Sequence, residues 1–486
     1  MSSRRIACFL VAVATVACTS SPPSSSPGSL VGATPTEVTP RAVTISGPSP
    51  FAQCDAGQLL SSSHVYAGAE VEPSLAVNPV DPANLIAAYQ QDRWSDGAAR
   101  GIVVASTTDG GDTWRPQSLP FSQCAGGDPA SVRVGDPWVV YGNTGSAWVI
   151  ATGSDGVHAA LSTDKGAHWQ ASVVYKNPQG RSADKPSIAA DPILPMVAYA
   201  AWYTIDRAAS TTSSWISITT DGGKSWSPAS LLATSEPLAV AGETRSLGPV
   251  SPLIIAGRTP GVLYVFAVYE PFSTVLLPPF ALGFQRSADG GHTWSRPRVI
   301  QDILTVGQTV NPNSGHAIRT GTEVVGAASD PQTGSLYVVW QDARFEAGRF
   351  DEVAISRSAD SGDHWSAPVR VNSTQGVPGV LPAIATDRAG HVAISYLDWR
   401  ALQPQDGSTL PARYWLAESD DQAAHFRERP LSKQFDMMAA PDAGGKFVGD
   451  YFGLTACRQG FCMAYATTNA GQPDNPTDIL FSALPS

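Results

Sequence analysis

Acidic side chains recur just ahead of short segments of the form x-Pro-x-apolar-apolar. Glu70 and Glu72 precede Pro73, Asp136 precedes Pro137, and Asp184 with Lys185 precedes Pro186. Glu323 and the pair Asp450-Tyr451 stand ahead of comparable apolar runs. Gathered at one place, such carboxylates would hold a cation such as Ca2+, or accept hydrogen bonds from a polyhydroxylated ligand such as a glycan. The plainer alternative is that they cap turns or pair with nearby arginines. A second series supplies those arginines: Tyr89-Gln-Gln-Asp-Arg93, Trp202…Asp206-Arg207, Trp340-Gln-Asp-Ala-Arg344 and Tyr396-Leu-Asp-Trp-Arg400. Four repeats of one acid–arginine pair read as turn-capping ion pairs. Trp94, Trp138, Trp340 and Trp399 offer faces on which a ligand ring would stack, although rings of this size more often serve packing.

The elements that must position these residues are announced by a repeat. Thr107–Trp114, Ser162–Trp169, Thr219–Trp226, Ser287–Trp294 and Ser358–Trp365 share the pattern Ser/Thr-x-Asp-x-Gly-x-x-Trp, and Ser419–Phe426 is a worn sixth copy. Self-similarity at such spacing signals an array of supersecondary units. The Asp accepts hydrogen bonds from the N–H groups of a tight turn, and the Gly supplies the positive φ that the turn requires. Alternating runs such as Glu352-Val-Ala-Ile-Ser356 precede each copy, and Pro-bearing segments such as Trp294-Ser-Arg-Pro follow. That arrangement places the motif in the hairpin between the last two strands of a four-stranded sheet. Six sheets set radially make an all-β, six-bladed β-propeller over residues 51–486. The x-Pro segments are then the innermost strands, and the acids ahead of them ring one mouth of the central channel.

This repeat is the Asp-box, or BNR repeat, and from about Glu70 onward the chain resembles the sialidase superfamily of six-bladed propellers. The resemblance implies an exo-α-sialidase type of glycoside hydrolase, in which a Tyr activated by a Glu is the nucleophile and an Asp is the acid/base. Tyr451, Glu323 and Asp96 stand at the matching places, with Arg93 and Arg344 as members of an arginine clamp on the substrate carboxylate. Tyr451 is equally readable as a packed aromatic at the start of a strand. Glu323 falls one blade later than the family pattern expects. The first strand also departs from the family's Arg-Ile-Pro: it reads Glu70-Val71-Glu72-Pro73, so that two carboxylates flank the place of a clamp arginine. The alternative function is a non-catalytic propeller that holds a glycan, peptide or cation at an acidic mouth through Glu70, Glu72, Asp136 and Asp450.

The net charge of −11 and a pI near 5.2 argue against nucleic acid as a partner. Met1–Ala17 reads as an export signal with Arg4-Arg5 ahead of an apolar run, and Ala14-Thr-Val-Ala-Cys18 resembles a bacterial lipobox. The expectation is lipidation of Cys18 and anchoring to the outer face of a bacterial membrane through that lipid alone, the alternative being plain secretion. Residues 18–50, rich in Ser and Pro, read as a tether. Four further cysteines in an exported chain suggest disulfides. Cys457 and Cys462 span a hairpin turn, which leaves Cys54 for Cys124. No histidine stands at ligand spacing from these thiols, which argues against a metal site there. The chain is expected to act as a monomer on a glycan or other small polar ligand without a cofactor, Ca2+ remaining open.

Overall fold

A computed structural model describes residues 40–57, 62–273 and 280–485. The signal segment, Cys18 and most of the 18–50 tether lie outside the described residues. From Ala42 onward the chain is built of β-strands, arranged as successive antiparallel sheets. The innermost strands are Val65–Val77, Val134–Tyr141, Arg181–Ala190, Glu243–Ala256, Gly326–Ser329, Val380–Thr386 and Gly453–Cys457. Each contacts the next, and the last contacts the first, so they close a ring. The all-β propeller expected from the repeat is therefore what forms.

Among the described residues the ring has seven blades, not the six that counting Asp-boxes predicts. The seventh consists of Gly453–Cys457, Gly460–Thr468, Thr477–Leu484 and, as its outer strand, Ala42–Thr44 from the N-terminal end. Its third and fourth strands come from opposite ends of the chain, so no hairpin joins them and no Asp-box marks the blade. Ala42–Thr44 also falls within the stretch that composition assigns to the tether, and the propeller begins there rather than at residue 51.

The boxes work as their residue types dictate. In the first, Asp109 accepts the Thr113 N–H at 3.0 Å, Gly111 N–H donates to Thr107 Oγ1 at 3.2 Å, and Trp114 Nε1 donates to the Gly111 carbonyl at 3.0 Å. The Trp114 ring then packs on Phe481 of the preceding blade, 5.2 Å between centroids. Trp226 does the same on Trp148, and Trp365 on Phe266 and Phe284. Gly111 has φ near +103°, and a Cβ there would strike the Phe481 ring. Each box thus seals one blade against its neighbour. Both expected disulfides, Cys54–Cys124 and Cys457–Cys462, are present.

Candidate functional site at the channel mouth

The x-Pro segments hold one backbone device. Glu72, Asp136, Lys185, Ser251 and Leu381 all precede proline, and all have φ between about +42° and +56°. At each, the pairing with the second strand slips by one residue, as between Asp184 and Ser187, so each is a β-bulge. A left-handed conformation on a non-glycine residue stores roughly 1–3 kcal/mol. In three adjacent blades the bulge carries a charged side chain, and the three meet.

Lys185 Nζ is the centre of that meeting. It lies 3.1 Å from Glu72 Oε1, 2.7 Å from Asp136 Oδ1 and 2.7 Å from Asp450 Oδ2. Arg319 grips the same Asp450, with Nε 2.9 Å from Oδ1 and Nη2 on Oδ2. Glu72 also accepts the Asp450 N–H at 3.2 Å and the Gln90 side-chain amide. Arg93 donates to Gln90 Oε1 at 2.7 Å, and the Arg93 and Arg319 guanidiniums lie over the Phe447 ring at 4.5 and 4.6 Å.

Three carboxylates share two direct cations, so one of them must be the easiest to protonate. Burial pushes Glu72 up to about 7 against the pull of Lys185. Burial likewise raises Asp136, whereas at Asp450 the Arg319 guanidinium and the Lys185 ammonium outweigh burial and hold the carboxyl well below its usual range. Glu70 is separate: 1% exposed, it accepts the Gln91 amide at 2.6 Å, and burial pushes it up to about 9. It is a neutral acid inside the wall. The expected acidic ring is therefore corrected. Lys185 stands where a bound cation would, Glu70 is uncharged, and the two acids flanking Val71 do not present a repulsive front.

Over this cluster opens a cleft of about 360 Å³. Lys185 and Asp136 line it, together with Arg93, Asp96, Arg133, Asp184, Arg207, Arg319 and Glu323. Asp96 is held by Arg133 Nη1 at 2.5 Å, and that guanidinium rests 4.4 Å above the Trp94 ring. Asp184 accepts the Tyr203 hydroxyl at 3.0 Å. Burial, then the neighbouring Asp450 charge, raises the Glu323 carboxyl against Arg319 and Lys185.

Tyr451 does not join Glu323. Its hydroxyl donates to the Pro137 carbonyl at 3.0 Å, and its ring packs 5.4 Å from Trp138. It lines the narrow channel beside Trp138 and Val325, not the cleft. Burial, reinforced by Glu72, Asp136 and Asp450, keeps the phenol protonated. Arg344 is spent on the scaffold, with Nε 2.8 Å from Asp342 Oδ1, Nη2 2.8 Å from Oδ2, and a further bond to the Asp302 carbonyl of the fourth blade. Arg400 holds Asp398 and Glu428 in the same way. The first two acid–arginine pairs break the rule. Asp92 faces Arg100, and Asp206 pairs with Arg181 at 3.1 Å, which leaves Arg93 and Arg207 to the cleft. Trp94, Trp340 and Trp399 are all buried and offer no stacking face, and Trp138 lines the channel.

Arg319, Arg133 and Phe447 belong to the site and were not singled out from sequence. Arg319 sits in an insertion between the fourth and fifth blades, outside every repeat. Its only sequence signal is a lone cation four residues before Glu323.

No family model matches the chain, and no curated protein matches it in sequence. Among solved structures, a protein of unknown function from Dyadobacter fermentans is 14% identical over 86% of this chain and 96% of that one, with a TM-score of 0.45. The α-L-arabinanase of Penicillium chrysogenum complexed with arabinobiose is 15% identical over 74% and 94%, TM-score 0.44. A Hadza microbial sialidase is 17% identical over 76% of this chain and 66% of its own, TM-score 0.43. These are likenesses of chain path alone, and the site rests on its own residues.

Proposed function

We propose that this chain is a glycan-recognising propeller of glycosidase type, whose cleft at the channel mouth receives the end of a sugar chain. The observation that carries the reading is the Lys185-centred cluster on strained bulges beneath the cleft. It sets donors and acceptors at fixed places before any ligand arrives, as saccharide hydroxyls require. Most of its charges are already paired, which favours a polyhydroxylated guest over a bare ion. Glu323, with its raised carboxyl, is the group placed to give a proton to a leaving oxygen, and Asp96 on Arg133 is the partner carboxylate. Tyr451 is assigned packing of the channel, not attack.

A panel of fluorogenic glycosides, including a sialoside and an arabinofuranoside, tests this. Release by the wild type that Glu323→Gln and Asp96→Asn abolish and Tyr451→Phe retains is the expected result. Binding without release would make the cleft a purely recognising site, a second reading favoured by the paired state of Asp136 and Asp450. Neither binding nor release with any sugar would end the proposal. The chain is also proposed to be exported and held by a lipid on Cys18, and radiolabelled palmitate incorporation lost in Cys18→Ser checks that.

A further inference from the structure

A second cavity, of about 410 Å³, opens beside the insertion that carries Arg319 and Glu323. The insertion forms a two-stranded ribbon, Thr309–Val310 against Ala317–Ile318. Gln308, Thr309 and Val310 face this groove, while Arg319 and Glu323, just past the ribbon's second strand, line the cleft. The two hollows, of about 410 and 360 Å³, thus draw lining residues from successive parts of one short insertion. The groove's other side comes from loops of the fifth and sixth blades and includes Phe350, Leu402 and Gln403. It is built in advance: Asn313 Nδ2 donates to the Gln403 and Asp406 carbonyls at 2.9 and 3.0 Å, and Asn311 Nδ2 to the Thr409 carbonyl at 3.2 Å. Gln308 spends both amide N–H groups on the Thr309 and Ile318 carbonyls, and Gln403 donates one to the Ala401 carbonyl, which leaves the amide oxygens of both as acceptors.

We infer that this groove is a second saccharide subsite, which takes the units of a glycan lying beyond the one held in the cleft. The inference rests on the cleft reading above. A half-buried phenyl face with apolar neighbours suits the C–H face of a sugar ring, and fixed amide oxygens suit its hydroxyls. The lining around Phe350 holds no carboxylate, in contrast to the cleft, and its two cations, Arg349 and Arg400, are already paired with Glu346 and with Asp398 and Glu428. The guest expected there is therefore an uncharged sugar unit. A glycan that crosses the ribbon would reach from one hollow to the other.

Calorimetric titration of the full chain tests it, with methyl glycosides and hexasaccharides of the arabinan, mannan and xylan series as probes. For the series that binds, the hexasaccharide should bind about tenfold or more tightly than the methyl glycoside, because the second contact is made at high effective concentration. Phe350→Ala, and separately Gln308→Ala with Gln403→Ala, should remove most of that gain and leave methyl glycoside affinity unchanged. Equal affinity for short and long probes in the wild type would overturn the groove while the cleft reading stands. A length gain that survives both variants would overturn it equally. No saccharide binding of any length would take down the cleft reading and the groove together.

Discussion

Lys185 is the ammonium shared by two buried carboxylates, Glu72 and Asp450, and the half-buried Asp136, so its removal has a predictable sign and size. Lys185→Met leaves Glu72, Asp136 and Asp450 with Arg319 as their only direct cation among the described residues. Breaking a buried pair from one side typically costs about 3–5 kcal/mol, and urea unfolding at pH 7 should show a loss of that order. Part of the loss should return at pH 5, where the stranded carboxyls take up protons. The wild type should itself lose stability on the alkaline side. Burial pushes Glu70 up to about 9, Glu270 up to about 8 and Glu72 up to about 7. Each folded value lies above the unfolded one, so their contribution is full below the unfolded pKa, about pH 4.5, and fades as pH rises through 7 to 9. The box acids act in the opposite sense. Hydrogen bonds from the residue four places on hold Asp164, Asp221 and Asp289 down to about 2, so their contribution is present above about pH 4 and lost as pH falls toward 2. The expected stability maximum lies between about pH 4 and 7. Glu70→Gln should flatten the alkaline limb, and urea midpoints from pH 5 to 9 would show whether it does.

Among the elements, the seventh blade is the one that closes the ring with a strand from the far end of the chain. A variant that begins after Thr44 should leave Thr477–Leu484 as an open edge and melt well below the parent, measured by near-UV circular dichroism. The Cys54–Cys124 bridge closes a loop with a sequence separation of 70, for which chain entropy predicts about 4 kcal/mol. A Cys54→Ser/Cys124→Ser double variant should lose stability of that order in urea. The seam between blades six and seven also keeps a cavity of about 450 Å³ lined by Phe426 and Phe461. Much of this was legible from residue types. The box pattern states its own turn chemistry, and x-Pro before an apolar run marks each bulge. The blade count was not legible, because a blade assembled from both termini needs no hairpin motif. Nor could spacing separate Arg93 and Arg207, which reach the cleft, from Arg344 and Arg400, which fold back on their own acids. That difference depends on Arg100 and Arg181 arriving from elsewhere to occupy Asp92 and Asp206. Tyr451 lies at the channel, and its hydroxyl partner there, the Pro137 carbonyl, carries no signal in residue type or spacing.

For the whole molecule, seven blades close the ring, and the inner bulges of three of them carry charged side chains that meet at the channel mouth. The frame explains why a chain of net charge −11 can carry a cleft in which five cationic side chains, Arg93, Arg133, Lys185, Arg207 and Arg319, stand among its acids. Acids elsewhere on the blades dominate the sum, while the mouth is locally balanced. A saccharide held there should bind with little dependence on ionic strength, because an uncharged guest is recognised through hydrogen bonds rather than ion pairs. Titration at low and high salt would check this, and a steep salt dependence would point to an ionic ligand instead. The most direct measurement is a crystal structure of the chain with the tightest-binding sugar of the panel. The account predicts sugar density over the Lys185 cluster, with hydroxyls on Arg207, Arg93 or Arg319 and an oxygen within hydrogen-bonding distance of Glu323. Sugar bound only elsewhere on the propeller, with the cleft unchanged, would contradict it.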